Sequence, residues 1–244
     1  MEDCVLSCTD VRKSFEQYAV PIQFLQDHVI RWKVHRKKWH HDALRGVSVS
    51  LKRGEWLGIM GHNGSGKTTL LRILAGLMSP DSGTVHRNGH MSCFFELGVG
   101  FHPERCAEEN IHMHGVLQGL SNREIRDMMP AILEFADIDS HREVPIKCFS
   151  VGMRMRLGFA AAAFLESDIY LIDEVFAVGD ASFQKKCIDR LNAMKSQGKS
   201  AILVGQFPEA LSKMCDRLIT LENGLITKEA VCPPRPQQLA VASV

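Results

Sequence analysis
Residues Gly61 to Thr68 read Gly-His-Asn-Gly-Ser-Gly-Lys-Thr, a complete G-x-x-x-x-G-K-[ST] pattern. The residue types suit phosphate binding. Gly61, Gly64 and Gly66 let successive backbone N–H groups curve around an anion, and the helix that follows adds partial positive charge at its N-terminus. Lys67 reaches the β- and γ-phosphate oxygens of a nucleoside triphosphate, and the Thr68 hydroxyl ligates its Mg²⁺. His62, Asn63, Ser65 and Thr69 complete the cradle. The flanks are the elements such a loop requires. Glu55 to Met60 reads as a buried strand, and Thr69 to Ala75 as a helix with an apolar pattern, stopped by Gly76. The chain is therefore expected to bind a nucleoside triphosphate.

A second constellation lies about one hundred residues downstream. Ile169-Tyr-Leu-Ile172 is an apolar strand that ends in two carboxylates, Asp173 and Glu174. Such a strand delivers Asp173 to the metal beside Thr68, and Glu174 to a water facing the γ-phosphate. Between the two motifs, Phe149-Ser150-Val151-Gly152-Met153 precedes a helical run. A small turn at a helix start is a candidate second anion site, and a plain Ser cap of that helix is the alternative reading.

Composition narrows the classes. The chain has 244 residues, a formal net charge of +1 and 45% hydrophobic residues, as expected for one nucleotide-binding domain with a modest subdomain. Near-neutral charge argues against nucleic acid as a partner of the whole chain. The N-terminus does not read as a signal peptide. The longest apolar run, Leu157 to Leu165, falls short of the roughly 20 residues that span a bilayer. A soluble or peripheral protein is expected. Eight cysteines without a Cys-x-x-Cys pair suggest free thiols in a reducing compartment. His40-His41 and His112-x-His114 lack acidic or cysteine partners at ligand spacing, so neither reads as a metal site.

The elements follow from pattern. Cys4 to Ser14 and Val47 to Leu51 have strand character, while Pro21 to His41 carries apolar residues at roughly helical spacing and ends in a basic run. Glu108 to Leu133 reads as mostly helical, broken around Gly119 and Pro130. Leu157 to Leu165 is a buried helix, Ser182 to Gln197 an amphipathic one, and Ala201 to Val204 a buried strand. Leu218–Leu221 and Leu225–Thr227 flank Glu222-Asn-Gly224, a hairpin signal. The segment from residue 231 to 244, with its prolines, is expected to be a loose tail. Strands alternating with helices around a phosphate loop imply an α/β fold with a mostly parallel sheet.

Taken in this order, the pieces resemble the nucleotide-binding subunit of an ABC transporter over about Val5 to Thr227. The resemblance makes Gly61–Thr68 Walker A and Asp173-Glu174 the end of Walker B. It puts Ser150, Gly152 and Met153 in the signature, normally Leu-Ser-Gly-Gly-Gln, and Asp180 of Ala177-Val-Gly-Asp180 in the D-loop. It further implies a P-loop NTPase fold of the ABC ATPase type. A mostly parallel core sheet (within residues 1–230), an antiparallel N-terminal β subdomain and a helical signature subdomain at about residues 105–165 belong to that fold. Phe-Ser-x-Gly-Met, Glu96 to Glu104 and Asp173 to Asp180 look like the branch that exports lipid-linked polysaccharides such as O-antigens, capsules and teichoic acids. There Glu96 stands near the Q-loop glutamine, which senses metal and γ-phosphate. Phe15, with Tyr18 second, is the candidate to stack on adenine, and a core role is the alternative for either.

The same resemblance implies ATP and Mg²⁺ as ligands and a second copy of the chain closing an ATP sandwich. It also implies a separate integral membrane subunit at the cytoplasmic face of the inner membrane. The basic segment Pro21–His41, with Trp32 and Trp39, resembles an insertion of this branch suited to a lipid-linked polysaccharide. A solvated basic loop is the other reading. The chain ends soon after its core, so no appended carbohydrate-binding domain is expected. One position departs from the family. Gln206 stands where a histidine normally contacts the γ-phosphate, and an amide cannot carry a proton or a positive charge. Rival functions remain: a soluble ATPase acting on nucleic acid or ribosomes, a nucleotide-gated module with little turnover, and an ATPase subunit for a different exported substrate. The first would call for a duplicated domain or a strongly basic chain, which this sequence does not have.

Overall fold
A computed structural model describes residues 3–18, 38–94, 100–164, 167–173 and 180–233. Strands β1 (Cys4–Tyr18) and β2 (Lys38–Lys52) form a long antiparallel ladder, from Cys4 opposite Lys52 to Tyr18 opposite Lys38. β3 (Trp56–Met60) is buried along nearly its whole length and leads into the phosphate loop and α1 (Lys67–Ala75). β4 (Ser82–Arg87) pairs with β1 and completes a three-stranded antiparallel sheet in the order β2-β1-β4.

After β5 (Met91–Cys93) come α2 (Ala107–Leu117), α3 (Asn122–Phe135) and α4 (Val151–Phe164). The chain then returns through β6 (Ile169–Asp173), α5 (Ala181–Ser196), β7 (Ser200–Gly205) and α6 (Pro208–Ser212). It closes with the hairpin β8 (Arg217–Glu222) and β9 (Leu225–Val231). The second sheet runs β5-β6-β7-β3-β8-β9, parallel from β5 to β8, with β9 antiparallel.

Three apolar clusters hold the layers together. Leu6, Leu44, Leu70, Leu71, Ile169 and Ile219 fuse the antiparallel sheet and α1 to one face of the parallel sheet. Trp56, Phe159, Tyr170, Phe183 and Leu203 fill the other face. Ile111, Ile132, Leu133, Phe149 and Leu157 form a separate core for the three helices. Arg217 ties the sheets together, donating to Glu55 Oε1 at 2.7 Å, to Glu229 Oε1 at 2.7 Å and to the Ser50 carbonyl.

The structure departs from the residue pattern in two places. Pro130 does not break its helix and lies inside α3. Its ring is on the exposed side, where water can solvate the carbonyl it leaves unbonded, while Ile125, Ile132 and Leu133 are fully buried on the other side. Three buried side chains at about 1.5–3 kcal/mol each outweigh the roughly 3 kcal/mol cost of an interior proline. The Ser121–Glu124 capping box adds a firm start. The second departure concerns Lys38 to His41, which had the look of a basic helix end. They are strand, paired residue by residue with Tyr18 to Phe15. Cross-strand hydrogen bonding with β1 overrides local helical spacing there. Residues 21–37 of that segment lie outside the described residues.

Candidate nucleotide site
The phosphate loop leaves the C-terminal end of β3, at the middle of the parallel sheet, and runs straight into α1. Close approach explains two of its glycines. A Cβ on Gly61 would collide with the Leu221 carbonyl oxygen and lie 2.5 Å from Ser65 Oγ. Gly66 sits at φ 107°, and a Cβ there would strike the Ala43 carbonyl of β2. The loop is thus wedged between the β8 end and β2. The Gly224 N–H of the β8–β9 turn donates to the Ser65 carbonyl at 3.1 Å and props it from below.

Lys67 is buried, and its Nζ donates to the Gly61 carbonyl at 2.8 Å and the His62 carbonyl at 2.9 Å. An ammonium has three protons, so one remains for an anion in the loop. Ser65 Oγ is the one buried side-chain polar atom among the described residues without a hydrogen-bond partner. Thr68 Oγ1 donates to Asp173 Oδ2 at 3.0 Å, joining the first turn of α1 to the end of β6. Gln206, just past β7, donates from Nε2 to Asn63 Oδ1 at 3.1 Å. Strands β3, β6 and β7 are neighbours, which is why three distant stretches of sequence meet at one sheet edge.

A cleft of about 270 Å³ opens over these groups, lined by Phe15, His41, Ala43, Asn63, Gly64, Gly66, Lys67, Thr68, Thr69 and Asp173. It fits a Mg²⁺-bound nucleoside triphosphate. A threonine hydroxyl and one carboxylate are hard oxygen donors, and Mg²⁺ takes few protein ligands because phosphates and waters supply the rest. No cluster of three or more His, Cys, Asp or Glu side chains gathers at a metal-binding geometry among the described residues.

The signature residues lie elsewhere. Ser150 precedes α4, and its Oγ accepts the Met153 N–H at 3.1 Å, so it caps the helix. Gly152 and Met153 form the first turn of α4. None of the three lines the phosphate-loop cleft. Asp180 caps α5. Its Oδ1 accepts from the Ser182 hydroxyl at 2.6 Å and from the Ser182 and Phe183 N–H groups at 3.0 Å. Its other oxygen takes Arg156 Nη2 of α4 at 2.7 Å. The Ser182 hydroxyl, then the Phe183 N–H and the Arg156 charge, hold this carboxyl down to about 2. Arg156 and Lys186 also reach Asp137, at 3.4 and 2.7 Å. Two side chains escaped the sequence reading. Arg156 carried no motif, and His41 is revealed only by its pairing opposite Phe15. Glu96, Glu174 and Ala177 to Gly179 lie outside the described residues.

The family model for ABC transporters matches residues 44–177. The chain is 41% identical over 224 residues to the ABC transporter protein AbcA of Aeromonas salmonicida, covering 92% of this chain and 72% of that one. It is 35% identical to the O-antigen export system ATP-binding protein RfbB of Myxococcus xanthus, over 90% of this chain and 52% of the relative's length. In fold it is similar to a solved ATP-binding subunit of an ABC transporter, with a TM-score of 0.75 at 23% identity over 93% of this chain and 90% of that one. A loop wedged for phosphate, a threonine–aspartate pair beside it and a family match through both motifs agree, and the chain belongs to the ABC transporter family as an ATP-binding subunit.

Proposed function
We propose that this chain hydrolyses ATP to power export of a lipid-linked, O-antigen-like polysaccharide through a separate membrane subunit, working as a pair of copies at the cytoplasmic face of the membrane. The single observation that carries the catalytic part is the 3.0 Å contact between Thr68 Oγ1 and Asp173 Oδ2 beside Lys67. These two groups would hold Mg²⁺, which when bound offsets charge on the β- and γ-phosphates. Lys67 would donate its remaining hydrogen bond to the same oxygens. The N–H groups of the loop would orient the phosphate chain, and Phe15 would hold the base. Ser150, Gly152 and Met153 would face the nucleotide of the second copy, with Asp180 setting the start of α5. Glu174 is proposed to position the attacking water, and Glu96 to sense metal and γ-phosphate.

Residues 1–230 are proposed as one ATPase domain, with 21–41 as a basic insertion and 105–165 as the helical subdomain. The substrate class is supported by relatives that are O-antigen and teichoic acid export ATP-binding proteins and by the motifs that resemble that branch. No helix among the described residues is long and apolar enough to cross a membrane, in keeping with a partner that does.

A second reading, a module that closes on ATP and turns over little, is favoured by Gln206. Its amide is bonded to Asn63 and cannot take up a proton. Steady-state ATPase activity of the chain with its membrane subunit in lipid, measured beside Gln206→His, separates the two. A working motor shows turnover in the unmodified chain, raised about tenfold or more by the histidine. Activity that appears only in the variant supports the stalled module. A rate unaltered by Gln206→His would remove any role for this position in turnover.

A further inference from the structure
The base end of the cleft carries a second ring. Phe15 and His41 are direct partners in the β1–β2 ladder and both line the cleft. Residues directly opposite in an antiparallel pair put their side chains on one face, with Cβ atoms about 4.5–5.5 Å apart. Strand alternation sends His40 and Asp42 to the far face, where His40 Nε2 pairs with Asp42 Oδ1 at 2.8 Å. His41 and Ala43 both line the cleft, with Ala43 at the register shift between Asp42 opposite Ser14 and Leu44 opposite Lys13. Ala43 lies against Gly66, so the ladder is seated on the phosphate loop at that point. His41 is two residues from Ala43 along β2 and lies opposite Phe15. Both rings line the same cleft as Lys67 and Thr68, so a base can meet them while its phosphates occupy the loop.

The ladder is also pinned where the two rings emerge. Asp81 accepts from Lys13 Nζ at 2.7 Å, from the Ser14 N–H at 2.7 Å and from the Ser14 hydroxyl at 3.0 Å, just before Phe15.

We propose that His41 is a specificity-determining residue that contacts the nucleotide base, forming with Phe15 a two-ring platform across the β1–β2 ladder. A single ring can stack on any flat base. Two rings side by side cover the wider face of a purine and leave an imidazole nitrogen at its edge to hydrogen-bond. This inference rests on the nucleotide reading of the phosphate loop, and its test separates the two.

Equilibrium titration of the full chain compares ATP with inorganic tripolyphosphate, which has the phosphates and no base. His41→Ala is expected to weaken ATP roughly three- to tenfold and to leave tripolyphosphate within twofold, in the range of a partial stacking contact. His41→Phe is expected to restore ATP binding to within about 1.5-fold of the unmodified chain, which would show that β2 remains intact and that a ring is needed. Equal weakening of both ligands by His41→Ala would place the imidazole on the phosphates and overturn the platform. No effect on ATP would overturn it as well. An unmodified chain that binds neither ligand would instead defeat the phosphate-loop reading, and the platform with it.

Discussion
The phosphate-loop region and the signature turn are built in opposite ways. The first is complete within one chain. Asn63, Gly64, Gly66 to Thr69, Asp173 and Phe15 line one cleft, Gln206 bonds to Asn63, and the charges that would meet a phosphate are already arranged. In the second, Ser150 caps α4, and Gly152 and Met153 follow it in the first helical turn, away from the lining of that cleft. The difference teaches where the dependence on a second copy resides. On the proposed function, the preformed half would bind nucleotide alone, and the half that offers only a helix start would have to be brought to a nucleotide held by another chain.

Breaking the first half should have the largest effect. Lys67→Ala removes the buried ammonium and its bonds to the Gly61 and His62 carbonyls, and binding of a fluorescent ATP analogue is expected to fall about 100-fold or more. Asp173→Asn leaves a hydrogen-bonding side chain opposite Thr68 and removes its charge. Turnover is expected to drop about 10²–10³-fold, with nucleotide binding reduced far less, as single-turnover and equilibrium measurements will show.

Ser150→Ala tests the comparison itself. It removes a helix cap worth about 1 kcal/mol, so thermal stability should fall by a few degrees. Nucleotide affinity of the isolated chain should not change, while ATPase of the assembled pair should fall. Weakened binding by the isolated chain would mean that both halves serve one site in one chain, and the contrast would collapse.

Smaller effects are expected from the ionic links between the helical layer and α5. Arg156→Gln removes the ionic partner of Asp180 and leaves Asp137 to Lys186 alone, but exposed pairs contribute about 1 kcal/mol or less, so turnover should fall only two- to fivefold, and less at high salt. The smallest effect is acid sensitivity at Asp81. Lys13, then the Ser14 N–H, hold its carboxyl down to about 2 from an ordinary value of 3.8. With the folded value depressed, the unfolded chain binds more protons between those limits. The contribution is therefore fully present above about pH 4 and is lost as pH falls toward 2. Asp81→Asn should flatten that part of the stability profile and leave the curves equal below it, which urea titrations from pH 2 to 7 will show.

The legible parts of the fold were those specified locally. The strand–loop–helix around Gly61–Thr68, the apolar strand ending at Asp173 and the Asn223-Gly224 hairpin each follow from residues close in sequence. Pro130 in α3 and Lys38–His41 in β2 depart from their local pattern because burial of the opposite helix face and pairing with β1 decide them. His41 reads locally only as half of a His-His pair without metal partners, since its place in the cleft comes from a partner 26 positions earlier in the chain.

Residue types and spacing by themselves determined that a triphosphate would be bound, and by which loop, because backbone amides, one lysine and one hydroxyl within eight residues suffice for that chemistry. Only the tertiary structure decided what surrounds the loop. The order of strands in the parallel sheet brings Asp173 to Thr68 and Gln206 to Asn63, and the ladder register sets His41 beside Phe15. Those contacts join residues up to 143 positions apart. Their geometry is set by which strands pair and in what register, and pairing is a choice made by burial over the whole chain.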